Sequence, residues 1–153
     1  MIFVTVGTFN FDALIKHVDT LAHKGVFKDN EVICQIGSGE YLPKHCQHFR
    51  YEKNLTHYYQ TAEFIICHGG TGSTTDCIRM NKPFIAIAHK ELADNHQTEF
   101  LQALSKECDF CWTDDPLAIP ELYQKAKQTI IHNRIPTLFS DLNRYLSTIH
   151  SNI

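Results

Sequence analysis

Apolar positions recur along this chain in two alternating rhythms. Short β-branched or aromatic runs at residues 2–6, 31–36, 64–67, 84–88 and 110–112 have strand length, and most end in turn residues. The segments between them carry apolar residues at helical spacing. Leu14, Ile15, Val18, Leu21 and Ala22 mark an amphipathic helix over 11–24, which Asn10 or Asp12 can cap. Further helices are predicted over 54–63 (Leu55 and Tyr59 on one face), 74–80, 94–106, 120–131 and 136–149. Residues 49–51 read as one more short strand. Strands alternating with crossover helices predict an α/β fold, a Rossmann-like and mostly parallel sheet with helices on both faces. Such sheets bind ligands at the carboxyl ends of their strands, where the strand order reverses. Turns at Gly7, Gly37 and Gly69–Gly72 all follow strands, so they are expected to line one edge.

Composition narrows the classes. The 153 residues suit one domain, 1–153, and a hydrophobic fraction of 43% is enough for a core without disulfides or metal. A net charge of −3 argues against a partner as anionic as nucleic acid. The opening MIFVTVGTF lacks a basic leader and a cleavage site, and no apolar run reaches membrane-span length. The expectation is therefore a cytoplasmic protein, brought to any membrane by something else. The cysteines (34, 46, 67, 77, 108 and 111) are expected to be free, buried thiols. Cys108 and Cys111 form a CxxC without a second metal-binding pair, and in a strand their thiols point to opposite faces. A redox role there would require that Cys→Ser changes abolish function. His45, Cys46 and His48 read as a solvated group.

The segment 64–83, FIICHGGTGSTTDCIRMNKP, carries the chemistry. A strand runs through glycines straight into a helix. Glycine allows close backbone approach, and the helix start offers unpaired N–H groups and partial positive charge, so a phosphate group fits there. Thr71, Ser73 and Thr74 add hydroxyls. The bland alternative is tight strand-on-helix packing. No lysine follows Gly72, so this is not a GxxxxGK[ST] loop, and Gly7-Thr8 lacks the second glycine of a dinucleotide fingerprint, which leaves little for an NAD reading. Asp76, one turn after Gly72, can accept hydrogen bonds from a ribose diol or can simply be an acid favoured by the helix dipole. Asp94, Asn95, His96 and Gln97 gather polar groups at the next helix start. They suit either sugar hydroxyls or a plain cap.

The run His68-Gly-Gly-Thr-Gly-Ser73, then Asp76 to Pro83, then Asp94-Asn-His-Gln97, resembles the donor-binding domain of family 28 glycosyltransferases of GT-B fold. The resemblance is strongest to small single-domain members: bacterial exopolysaccharide and capsule glycosyltransferase subunits, and the catalytic subunit of the bipartite N-glycan GlcNAc transferase. The opening, with Gly7-Thr8, Phe11-Asp12 and Leu14-Ile15, is similar to the bacterial subunits, whereas Ala88-His89-Lys90-Glu91 departs from their Pro-Arg and Gly-Glu-His pattern. The resemblance implies that Gly69, Gly70, Thr71, Gly72 and Ser73 hold the donor diphosphate and Asp76 the ribose. Asn95, His96 and Gln97 would hold the sugar, with Gly7 and Thr8 bordering the cleft.

It further implies inverting transfer from a UDP-sugar, active with a partner. UDP-GlcNAc, UDP-galactose, UDP-glucose and UDP-glucuronate are all compatible donors. The partner is expected to be a membrane-anchored, acceptor-binding glycosyltransferase subunit that presents a lipid-linked acceptor and supplies the base. His68 and His96 are the local candidates for that base. No cofactor and no metal are expected. The alternative is a non-catalytic UDP-sugar-binding activator of a separate subunit. Alone, the chain could form a homodimer through the open cleft. The last predicted helix, with Leu138, Phe139, Leu142, Tyr145, Leu146 and Ile149, reads as packing on its own sheet or as a docking face for the partner.

Overall fold

The computed structural model describes residues 1–91, 95–134 and 142–151. Strands β1 (Ile2–Thr5), β2 (Val32–Gln35), β3 (Gln47–Phe49), β4 (Phe64–His68), β5 (Phe84–Ile87) and β6 (Cys111–Thr113) form one sheet. All its pairings are parallel and its order is β3-β2-β1-β4-β5-β6. Helices α1 (Asp12–His23), α2 (Thr56–Thr61), α3 (Thr71–Arg79), α4 (His96–Leu104), α5 (Ile119–Gln128) and α6 (Leu142–Ser151) complete the α/β architecture expected from the sequence.

The pleat sorts β1 between two core layers. Ile2 and Val4 join Leu14, Ile15 and Val18 of α1 and Tyr123 and Ala126 of α5. Phe3 points the other way, to Tyr59 of α2, Cys77 and Ile78 of α3, Leu101 of α4 and Ile149 of α6. Ile149 thus packs on the chain's own sheet. All six thiols are free and buried. Cys108 and Cys111 lie in opposite layers, as expected for the CxxC.

Several boundaries move. The third strand is 47–49 and not 49–51; the Arg50 side chain just after it donates to the carbonyls of Gly37 and Gly39 at 3.2 and 2.7 Å. Cys46 is buried in the core, and only its histidine neighbours His45 and His48 are exposed. Phe11, not Asn10 or Asp12, occupies the α1 cap position. Asn10 Oδ1 instead accepts from the Asp12 N–H, and Asp12 Oδ2 from the Glu40 N–H. The proposed Asp94 cap lies outside the described residues, and so do residues 136–141 of the last predicted helix. Asn95 stands at the α4 cap position with φ 55° and makes no side-chain cap bond.

Candidate functional site

The sheet order reverses between β1 and β4, which pair directly, and the segments leaving these two strands diverge there. Gly7 ends β1 with φ 65°, and its N–H donates to Thr5 Oγ1 at 3.1 Å. The Thr5 hydroxyl in turn donates to Gln35 Oε1 at 2.6 Å, tying β1 to β2. Gly37 has φ 57°, and a Cβ there would stand 2.2 Å from the Phe9 carbonyl oxygen, so the turns after β1 and β2 touch. His68 at the end of β4 fills the gap between the first and third glycine turns. A Cβ on Gly7 would lie 3.0 Å from its Cε1, and one on Gly70 would lie 2.4 Å from its Nε2. Burial holds the His68 imidazole below the usual histidine pKa. A hydrogen bond with the Thr5 backbone opposes that shift, and the nearby His89 adds to it.

Helix α3 begins at Thr71, three residues earlier than the sequence suggested, and Thr74 N–H already donates to the Gly70 carbonyl. Thr71, Gly72 and Ser73 therefore form the first helical turn, where backbone N–H groups have no intrahelical acceptor. Beside this turn is a cleft of about 430 Å³. Gly7, Thr8, Gly72, Ser73 and Asp76 line it together. Gly69, Gly70 and Thr71 lead into it: the Gly69 N–H donates to the Ile87 carbonyl at 2.7 Å. Asp76 pairs with Arg79, which lines the same cleft. Tyr59 underlies it, its phenol pKa raised mainly by burial and lowered in part by a hydrogen bond with the Ser73 side chain.

Asn95, His96 and Gln97 do not line this cleft. Gln97 nonetheless borders the glycine turn. Its Oε1 accepts from the His89 N–H at 2.9 Å, and a Cβ on Gly69 would come within 3.3 Å of it. His96 is exposed on α4, with Nδ1 3.9 Å from Glu99 Oε2. Sequence reasoning missed the outer wall, formed by residues 51–56, together with Thr5, Gln35 and Arg79. Residues 51–54 show neither glycine nor an apolar period, and Leu55 marks only a helix face. Their one legible signal is position, directly after the third strand at the carboxyl edge. The assembled cleft offers backbone N–H groups at a helix start for phosphate oxygens, and hydroxyl, amide and carboxylate groups for a polyhydroxylated ligand.

The glycosyltransferase family 28 C-terminal domain model matches residues 1–133. The chain is 34% identical over 116 residues to the human UDP-N-acetylglucosamine transferase subunit ALG13, covering 69% of this chain and 10% of that one. It is 30% identical over 117 residues to the Yarrowia lipolytica subunit of that name, covering 67% and 59%. The chain thus spans about a tenth of the human relative. Among solved structures, Acinetobacter baumannii MurG superposes with a TM-score of 0.62 at 16% identity, over 81% of this chain and 40% of that one. The ALG13 solution structure gives 0.59 at 19%, over 92% and 93%. These superpositions establish a shared Rossmann-like fold. With the family match covering most of the chain, the chain belongs to the glycosyltransferase family 28 C-terminal domain family.

Proposed function

We propose that this chain is the donor-binding subunit of a two-component inverting glycosyltransferase that uses UDP-GlcNAc. The observation that carries this reading is the cleft at the sheet's switch point, where the open first turn of α3 and the Asp76 carboxylate face one space. The diphosphate sits over the N–H groups of Thr71, Gly72 and Ser73, and Asp76 accepts from the ribose hydroxyls, exchanging its contact with Arg79. Gln97, beside the same glycine turn, reaches the sugar. As the glycosidic bond breaks, negative charge grows on the departing diphosphate, and the fixed N–H groups of α3 stabilise it. The names of the matched relatives support both the choice of UDP-GlcNAc and the status of subunit. A partner that is membrane-anchored and presents a lipid-linked acceptor completes the enzyme at the cytoplasmic membrane face. No helix of the described residues is long and apolar enough to cross a membrane.

Neither local histidine suits the role of base. His68 is buried between two glycines, and His96 stands on α4 away from the cleft. We therefore place the base on the partner. The same observation supports a second reading, in which the chain binds UDP-sugar only to activate a separate catalytic subunit. Ligand-observed NMR with UDP, UDP-GlcNAc, UDP-galactose, UDP-glucose and NAD tests the first reading. UDP compounds are expected to bind and to lose binding in Asp76→Ala, whereas binding of NAD alone would sink it. In the reconstituted complex, full activity of Asp76→Ala and Gln97→Ala would favour the activator.

A further inference from the structure

His89 follows the end of β5, where the Ala88 N–H donates to the Thr113 carbonyl at 2.8 Å, so its backbone starts from the sheet. It is a buried polar residue, only 7% exposed, and it does not line the nucleotide cleft. Both its main chain and its ring make polar contacts. The main-chain N–H donates to Gln97 Oε1 at 2.9 Å. The ring Nε2 lies 2.7 Å from the Asn10 carbonyl oxygen. That oxygen can only accept, so Nε2 carries the proton and donates it. The same ring stacks on Phe11, with centroids 4.0 Å apart and planes 14° from parallel.

These contacts join segments that the sheet keeps apart. Strand β4 stands between β1 and β5, so β1 and β5 do not pair. The His89 side chain reaches across the end of β4 to the turn between β1 and α1, while its main chain holds a side chain of the first turn of α4. Asn10 and Phe11 shape that β1 turn. Asn10 Oδ1 accepts from the Asp12 N–H, and the Phe11 carbonyl accepts from the N–H groups of Leu14 and Ile15, which opens α1. Three residues before Asn10, the same turn carries Gly7 and then Thr8, which line the nucleotide cleft. At α4, Asn95 makes no side-chain cap bond, and the Gln97 amide ties the helix start to the end of β5. A ligand that touches separate walls binds best when those walls are already held at the right separation.

We propose that His89 is a positioning residue for the donor. It holds the Gly7–Thr8 wall and Gln97 at one fixed separation, so that UDP-GlcNAc meets both together, and it does so without touching the ligand. The role rests on the donor-subunit reading.

Calorimetric titration of UDP and UDP-GlcNAc into the full chain tests it, at a temperature well below the melting point of every variant. His89→Ala is expected to weaken UDP-GlcNAc about tenfold, the effect of one lost hydrogen bond. His89→Gln offers an amide N–H at nearly the reach of Nε2 and should recover most of that affinity. His89→Phe keeps a ring over Phe11 but has no donor, and it should bind as weakly as His89→Ala. A residue that only stabilises the fold would shift the melting temperature and leave the affinity of the folded protein alone. Each variant keeps the main-chain N–H to Gln97, so a double-mutant cycle with Gln97→Ala reads the coupling. The combined loss should be smaller than the product of the two single losses. Should His89→Ala fail to fold, the contrast between His89→Gln and His89→Phe decides the matter. The proposal is overturned by unchanged affinity in His89→Ala, by His89→Gln binding no better than His89→Phe, or by strictly multiplicative losses in the cycle. Any of these, with UDP-GlcNAc still bound by the wild-type protein, leaves the donor reading in place. A wild-type protein that binds neither UDP compound removes the donor reading and this role with it.

Discussion

Gln97 shows how one hydrogen bond sets the reading direction of a side chain. Its amide oxygen is taken by the His89 N–H at 2.9 Å, so the amide nitrogen is the end turned away from that contact. In the proposed complex it donates to an oxygen of the donor sugar. Gln97→Glu keeps the acceptor for His89 but replaces the donor with a charged acceptor. The change is expected to weaken UDP-GlcNAc binding about tenfold or more, the worth of one hydrogen bond lost at about 1–3 kcal/mol, while leaving UDP itself unaffected. Calorimetry with both ligands measures this; equal losses for UDP and UDP-GlcNAc would remove Gln97 from the sugar seat. The residue type and its place at a helix start were legible in the sequence. Its orientation was not, because His89 lies across the preceding loop and only the folded chain brings its N–H to the amide.

At the scale of elements, the glycine segment separates into positions with different tasks. A methyl on Gly70 would meet His68 Nε2 at 2.4 Å, and that ring is itself buried. Gly70→Ala is expected to destabilise the fold by about 1–3 kcal/mol, in line with overpacking, and His68→Ala should relieve much of that loss. Gly72 has nothing within 4 Å of its would-be Cβ, and it sits inside helix α3. Gly72→Ala should therefore stabilise the protein by up to about 1 kcal/mol through helix propensity, while its methyl crowds the diphosphate and weakens UDP. Thermal unfolding and UDP titration of the two variants separate these effects. UDP affinity unchanged in Gly72→Ala would move the diphosphate off the α3 start. The sequence pattern showed the strands, the major helices and the glycine turn, since each has a period or a punctuating residue. It placed the start of α3 too late because Thr71-Gly72-Ser73 has poor helix propensity, which packing on β4 overrides. The wall at 51–56 has a helical signal only from Leu55 onward, and the order β3-β2-β1-β4 is what brings it to the cleft.

At the scale of the whole molecule, buried and half-buried ionisable groups make stability depend on pH in two steps. His68 at the sheet edge and His17 on α1 both have pKa values lowered from 6.5, chiefly by burial. A group that resists protonation when folded but accepts it when unfolded lets the unfolded chain bind more protons. Stability is then full above the unfolded pKa and declines as pH falls below it toward the folded value. Asp19 of α1 behaves as the carboxylate case. Burial pushes its pKa up, but donors from the loop before β3 outweigh it: the Lys44 N–H, the Tyr41 hydroxyl at 2.7 Å and the His45 N–H at 2.7 Å. The net value falls below 3.8. Its contribution is present above that value and is lost as pH falls through the lowered one. The melting temperature is therefore expected to hold level from pH 8 to about 6.5, to decline below it, and to drop again below about pH 4. His68→Gln and His17→Gln should flatten the first step, and Asp19→Asn should lower stability at neutral pH while flattening the second. A melting temperature that is the same at pH 8 and at pH 5.5 would show that neither His68 nor His17 is held neutral by the fold.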